Sequence, residues 1–364
     1  MEQQRLAERA TARSLTASDN LLDLPPAAAI RAVAQWVTAQ HEPGYRAGQI
    51  VSHLWNRPVR SWTDATDLPQ PLIDQLEAMA PIRRLTLETR QISSDGTQKS
   101  LWRLEDGRAI ESVWIPEGRR ATLCISSQAG CAYGCAFCAT GTMGFQRNLA
   151  AWEITGQVRE AILDPDQGKP TNVVFMGMGE PLHNWESVSR SLTIINDPHG
   201  IGIGARRVTV STIGIVPRLR ELARRPEQFR LAISLHAARS ERRAALMPVE
   251  KKYPVHELME ALEAFRRRVT FEYVMIRGAN DTPDDAEALA SLARPLRAMV
   301  NLLPLHPVQG SALRPTTRAG IEQFADRLRS HGVSVTVRRS RGLDIDAACG
   351  QLRVKADDAR SVQP

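Results

Sequence analysis

The spacing of apolar positions changes along this chain. Up to about residue 80 it is helical: within 27–40, Ile30, Val33, Trp36 and Val37 fall on one helical face. Pro25-Pro26 start that segment, and Pro43-Gly44 end the turn that follows it. Residues 47–55 and 72–79 read as further short helices, and the polar start, MEQQRLAERATARSL, as another. Three runs with strand character follow, at 85–92, 101–104 and 109–115, separated by Asp95-Gly96 and Asp106-Gly107. Asp-Gly between such runs predicts hairpins, hence a small antiparallel meander.

From residue 121 apolar strands alternate with helical stretches. The pattern predicts strands at 121–126, 172–176, 207–211, 230–235, 269–276 and 299–305, with helices such as 151–163 and 255–267 between them. Six β/α units in a row imply a parallel sheet, open or barrel-like. A full eight-stranded barrel takes about 250 residues, so roughly 220 residues with six strands suit an incomplete one. A last strand at 333–339 precedes the segment carrying Cys349. The chain thus divides into 1–80, 81–116, 117–345 and 346–364.

Composition adds constraints. The 364 residues suit one large domain with smaller ones, and 43% hydrophobic and 24% charged residues are ordinary for a globular protein. A net charge of +7 and a pI near 9.5 favour acidic partners, nucleic acid foremost; the plainer reading is simply a basic enzyme. No apolar signal region and no apolar run of about 18 residues is visible, so a cytoplasmic location without a membrane partner is expected. Thiols are reduced there.

Four of the five cysteines, Cys124, Cys131, Cys135 and Cys138, lie within fifteen residues; Cys349 stands apart. In a reducing compartment such clustering points to metal or redox chemistry. Thiolates at CxxxCxxC spacing suit one face of an Fe–S cube and leave one iron open. Zinc sites favour paired CxxC or added histidines, and a redox CxxC leaves Cys131 unexplained.

A second motif, Phe175-Met-Gly177-Met-Gly179-Glu180-Pro181, closes a predicted strand, where α/β proteins bind ligands. Its glycines would let a ligand approach the backbone, and Glu180 could accept hydrogen bonds from an ammonium; the alternative is a tight turn. Ser211, Ser234, His236 and His306 also fall at strand ends, as barrel active sites require. Cys349, before Gly350, is either a small buried cysteine or a reactive one, with Cys124 the remaining cysteine outside the triplet. Basic pairs at Arg119-Arg120, Arg206-Arg207, Arg242-Arg243, Lys251-Lys252 and Arg338-Arg339 with Arg341 fit a phosphate-binding surface.

The stretches RATLCISSQAGCAYGCAFCATGTMGF, NVVFMGMGEPLHN, ARRVTVSTIGIVP, LAISLHA, VTFEYVMI and VRRSRGLDIDAACGQL, in this order, resemble the RlmN/Cfr family of radical S-adenosylmethionine RNA adenine methyltransferases, closest to its RlmN branch. The likeness runs from about residue 20 to residue 353. It implies an α/β fold: a partial (β/α)6 radical-SAM barrel with an N-terminal helical, RNA-binding accessory domain and a small β-hairpin extension. It implies methylation of adenine C2 in 23S rRNA and in tRNA, at the adenosine following the anticodon. Cys131, Cys135 and Cys138 match the ligands of a [4Fe–4S] cluster. Gly179, Glu180, Ser211, Ser234, Leu235 and His236 match contacts to S-adenosylmethionine. Cys349 matches a cysteine that becomes S-methylated, Cys124 the thiol that closes a disulfide with it, and Glu111 a proton acceptor. Where the family usually has Asn in its cofactor site this chain has His306, which when neutral offers one donor and one acceptor.

Adenine C2 is electron-poor, so direct attack on a sulfonium methyl fails. The resemblance implies two S-adenosylmethionine molecules per turnover, one methylating Cys349 and one cleaved to a radical. It also implies a one-electron donor such as flavodoxin or ferredoxin, and a reductant for the disulfide. The nearest rival is methylation at C8. A non-catalytic Fe–S redox or RNA-binding protein and a structural zinc protein are the other classes.

Overall fold

The computed structural model describes residues 20–265, 267–306 and 310–352; the polar start read above as a helix lies outside them. Helices α1 (Pro26–Ala39), α2 (Arg46–Trp55) and α3 (Gln70–Met79) form where helical spacing predicted them. Proline lies in the first turn of α1 and of α3, where its missing N–H has no helical partner to lose. Each helix buries a stripe, such as Ala29, Val33 and Val37 of α1.

Strands β1 (Thr86–Ile92), β2 (Gln98–Arg103), β3 (Ala109–Glu117) and β4 (Arg120–Cys124) are antiparallel neighbours. Both predicted Asp-Gly turns close the meander: Ser93 N–H donates to Thr97 O (2.8 Å) and Leu104 N–H to Arg108 O (2.7 Å). A short ribbon that the spacing did not reveal, β5 (Gln128–Gly130) with β6 (Phe145–Asn148), brackets helix α4 (Ala139–Thr142). These strands are too short and too polar on β6 to show alternation.

The alternating array follows. It runs α5 (Ala151–Leu163), β7 (Asn172–Phe175), α6 (Trp185–Asn196), β8 (Val208–Thr212), α7 (Val216–Ala223) and β9 (Arg230–Ser234). Then come α8 (Ser240–Leu246), α9 (Val255–Glu263), β10 (Val269–Met275), α10 (Pro283–Ala293), β11 (Met299–Pro304), α11 (Arg318–Ser330) and β12 (Ser334–Val337). The helix expected to reach residue 267 stops at Glu263, and the Arg267 guanidinium instead donates to the carbonyls of Phe229 and Arg225.

One ten-stranded sheet has the order β1-β2-β3-β4-β7-β8-β9-β10-β11-β12. Every pairing from β4 onward is parallel. The partial barrel therefore holds the six expected strands and, as β12, the expected last strand, and the meander continues the same sheet through β3. Side chains such as Val173, Val208, Ile233, Phe271 and Val300 are buried, the apolar strand interior of a sheet covered on both faces.

The described residues fall into two units. One holds those up to Leu85 with Ala150–Lys169 and Glu186–Gly204; the other holds Thr86–Leu149, Pro170–Trp185 and those from Ala205 on. Within the first, Trp55 and Trp62 are fully buried, and buried Arg159 donates to the carbonyls of Leu54 (2.6 Å) and Val59 (3.0 Å). The complete ten-stranded sheet lies in the second unit. Among the described residues, no helix is long and apolar enough to cross a membrane.

Candidate active site

The β5–β6 ribbon closes the loop that carries the three clustered cysteines. Gly130 has φ 73°, and a Cβ there would lie 1.9 Å from the Gly144 carbonyl oxygen, so this closure needs glycine. Cys131 N–H donates to that same oxygen (3.0 Å), Ala136 N–H to Leu246 O (3.0 Å), and Cys138 N–H to Cys135 O (3.1 Å). All three thiols line a cavity of about 210 Å³. Burial pushes each of them up, Cys131 to about 12, and the negative charges of neighbouring thiolates add to it.

Among the described residues, no three His, Cys, Asp or Glu side chains are drawn together as a preformed metal centre. The donor set still fits a cluster. Three soft thiols sit on one loop, near enough to feel one another's charge, and their protons leave when iron binds.

The Gly177–Glu180 turn follows β7 on the same wall. Its glycines line the cavity and are also required by the chain's own packing. At Gly179, with φ 95°, a Cβ would sit 2.5 Å from the Gln128 Cβ; at Gly177 it would sit 2.7 Å from the Ile125 carbonyl oxygen. Backbone bonds from Ser127 and Gln128 to Met178 O lock the two segments together. The buried Glu180 carboxylate accepts from Leu182 N–H (2.9 Å), Thr212 Oγ1 (2.6 Å) and Ile213 N–H (2.9 Å). Burial outweighs these bonds and lifts its pKa to about 7. A cationic ligand in the cavity would restore its charge.

Ser211, Ser234, His236 and His306 also reach the cavity. His236 has φ 56°, unusual for a side chain of this size. Asn280 fixes it by donating to the carbonyls of His236 and Val274, while its Oδ1 accepts from Ile276 N–H. His236 Nδ1 accepts from Val274 N–H (3.0 Å), so the ring is neutral with its proton on Nε2. Burial, helped by Arg243, holds its pKa near 3. His306 is half-buried and shares a 2.5 Å hydrogen bond between its Nε2 and Ser340 Oγ. Leu235 is wholly buried and off the cavity wall; its N–H donates to Glu272 O.

Cys349 faces the cavity, and its neighbour Gly350 accepts from Ala139 N–H (2.7 Å) in the cluster loop. Cys124, buried at the end of β4, is close enough to Cys349 for a negative charge there to raise its pKa; burial dominates and pushes Cys124 to about 12. Glu111 is buried on β3 and off the cavity wall; Lys99 Nζ lies 3.3 Å from its Oε1.

Two cavity residues escaped sequence reasoning. Glu272 on β10 is buried, raised in pKa by burial, and accepts from Asn301 on β11 (2.8 Å). Arg338, just past β12, lines the cavity among Cys349, Glu272 and Cys124, whose negative charges hold its proton more firmly. Sequence reasoning grouped Arg338 with surface bases. Arg243 also departs from that grouping: it is fully buried, ion-paired with Glu250, and donates to Ile213 O (2.7 Å). Arg338 follows a strand end, a position that could have marked it for the site, whereas Arg243 lies within α8 and carries no such signal.

Comparison with known proteins agrees with this geometry. Residues 125–293 match the Radical SAM superfamily. A probable dual-specificity RNA methyltransferase RlmN from Gemmatimonas aurantiaca is 54% identical over 94% of this chain and 95% of its own. The dual-specificity RNA methyltransferase RlmN of Syntrophobacter fumaroxidans is 45% identical over 87% of this chain and 94% of its own. The crystal structure of a radical SAM methyltransferase from Sphaerobacter thermophilus superposes with a TM-score of 0.86 at 42% identity, covering 92% of this chain and 99% of that one. This chain belongs to the RlmN family of radical SAM RNA methyltransferases, enzymes that use a [4Fe–4S] cluster and S-adenosylmethionine.

Proposed function

We propose that the chain methylates C2 of an adenosine in 23S rRNA and of the tRNA adenosine following the anticodon, with Cys349 as methyl carrier. One observation carries this reading: Cys349 shares a single cavity with Cys131, Cys135, Cys138 and the Glu180 turn. A methyl-carrying sulfur is then within the same enclosure as the radical source.

Cys131, Cys135 and Cys138 would hold the cluster, and Gly179, Glu180, Ser211, Ser234 and His236 would orient S-adenosylmethionine. When bound, cluster and S-adenosylmethionine supply a hydrogen-abstracting radical after one-electron reduction. The Cys349 thiolate first takes a methyl group: its S–CH3 bond forms as the sulfonium C–S bond breaks, and S-adenosylhomocysteine leaves. The radical would then take a hydrogen atom from the Cys349 methyl group, whose carbon would bond to adenine C2. The adduct would give back the one electron supplied by the donor, and Glu111 would accept the proton lost from C2, with Lys99 steadying its charge. Cys124 then attacks the Cys349 sulfur, an S–S bond forms, and the product carbon leaves and takes a proton. A cellular dithiol returns two electrons to the disulfide, and a flavodoxin or ferredoxin supplies single electrons to the cluster. His306 keeps one ring nitrogen for the cofactor once Nε2 is engaged with Ser340. The stretch 1–80 and exposed bases such as Lys251 and Lys252 hold the RNA in the cytoplasm.

Anaerobic reconstitution and nucleoside mass spectrometry of rRNA fragments and tRNA test this. The expected product is 2-methyladenosine in both; 8-methyladenosine sinks the regiochemistry. Unchanged RNA affinity after deletion of residues 1–80 sinks the role given to that stretch.

A further inference from the structure

The segment carrying Cys349 is held at both ends by parts of the fold far away in sequence. Its far end is tied to the cluster loop: Ala139 N–H donates to Gly350 O (2.7 Å) and Thr140 Oγ1 to Leu352 O (2.7 Å). Its near end is tied to the turn between β1 and β2. Gly342 N–H donates to Asp95 Oδ2 (3.0 Å), Ser93 Oγ to Asp344 Oδ1 (2.5 Å) and Ser94 N–H to Asp344 Oδ2 (3.0 Å). Buried Lys99, next along the hairpin, donates to Asp346 O (3.4 Å). Its other close partner is Glu111.

These contacts are charge-assisted, and they converge on a turn that binds nothing in the chemistry proposed above. Between the two ties, Asp346 takes φ 51°, a conformation costly for a non-glycine residue and kept where surrounding contacts enforce it. The carrier sulfur has successive partners: a sulfonium methyl, the adenine ring and Cys124. Meeting each at useful rates requires that the segment be confined, since an untethered tail dilutes its thiol.

We propose that the β1–β2 turn is a latch, with Asp344 and Asp95 as positioning residues that hold Cys349 in the cavity through residues 342–346. The near tie is the releasable one. Asp344 is exposed, whereas the partners of the far tie, Ala139 and Thr140, are buried. This inference rests on the reading of Cys349 as methyl carrier, and its test separates the two.

The reconstituted holoenzyme is compared with Asp344→Ala, chosen because Asp344 is exposed and its loss leaves the hairpin's own bonds intact. Asp95→Ala is a second variant with Asp95→Asn as its rescue, because Asp95 Oδ1 also caps Thr97 N–H (2.9 Å) in its own turn. Two quantities are read by mass spectrometry: alkylation of Cys349 by iodoacetamide, and S-methylation of Cys349 from labelled S-adenosylmethionine without RNA. Iron content is measured alongside. With unchanged iron, Asp344→Ala is expected to speed Cys349 alkylation and slow its methylation, each on the order of tenfold. Asp95→Asn, which keeps an acceptor oxygen, restores both rates relative to Asp95→Ala. Wild-type rates in Asp344→Ala overturn the latch. Absence of S-methylation in the wild type overturns the carrier reading instead, while the alkylation rates still report on the latch.

Discussion

The two cysteine-bearing segments of this site are built in opposite ways. The cluster loop is closed by a ribbon, needs glycine where Gly130 meets the Gly144 carbonyl, and tucks its cysteines among other elements. The Cys349 segment has no strand pairing and is tied at its two ends, with left-handed residues at Gly342 and Asp346. On the proposed function, the first presents three sulfurs to a cluster and the second carries one sulfur between partners. A closed loop at one and an end-tethered segment at the other suit what each thiol would do.

The largest expected break comes from the thiols themselves. Cys131→Ala should lose both iron and all methyl transfer, whereas Cys349→Ala should keep iron and S-adenosylmethionine cleavage yet form no methylated RNA. Iron analysis beside product assays separates the two. Next, Gly130→Ala forces a Cβ onto a backbone oxygen in a left-handed conformation and should cost about 3 kcal/mol or more, with loss of iron. Gly350→Ala, whose Cβ would stand 3.2 Å from Phe137 O, should cost only about 1–2 kcal/mol in denaturant melts.

Arg338 lowers the pKa of both thiols, against burial at Cys124 and within the cavity at Cys349, whose residue is otherwise exposed. Arg338→Gln should raise both thiols and slow Cys349 alkylation at pH 8 by roughly fivefold, with the rate–pH profile moved upward. Arg338→Lys should recover most of the rate, since it keeps the charge. A last effect, confined to acid pH, is on stability. His236 stays neutral in the folded protein down to about 3, while in the unfolded chain it protonates near 6.5. Protons then bind the unfolded state first, so His236 makes stability fall as pH drops from about 6.5 toward 3. His236→Asn, tolerant of its φ, should flatten that part of the curve in melts followed by circular dichroism.

Much of the sheet was legible because each strand has its own apolar run, and Asp95-Gly96 and Asp106-Gly107 announce their turns. The ribbon β5–β6 was not, because three or four residues leave no period to read. Arg243 and Arg338 look like surface bases on the page, since a charge turned inward and one turned outward are spelled alike. Gly177 and Gly179 read as room for a ligand; the crowding from residues 125–128, some fifty positions earlier, which also requires them, was not legible in the sequence.

By itself, the sequence determined the alternating strand order and the thiol triplet, because local spacing and side-chain chemistry need no partner to be recognised. Only the tertiary structure decided that Glu272 and Arg338 lie beside Cys349, that Glu180 accepts from Leu182, Thr212 and Ile213, and that the distant β1–β2 turn bonds to the segment before Cys349. Those relations join residues separated by tens to hundreds of positions, and no local period records which long-range contacts the folded sheet will close.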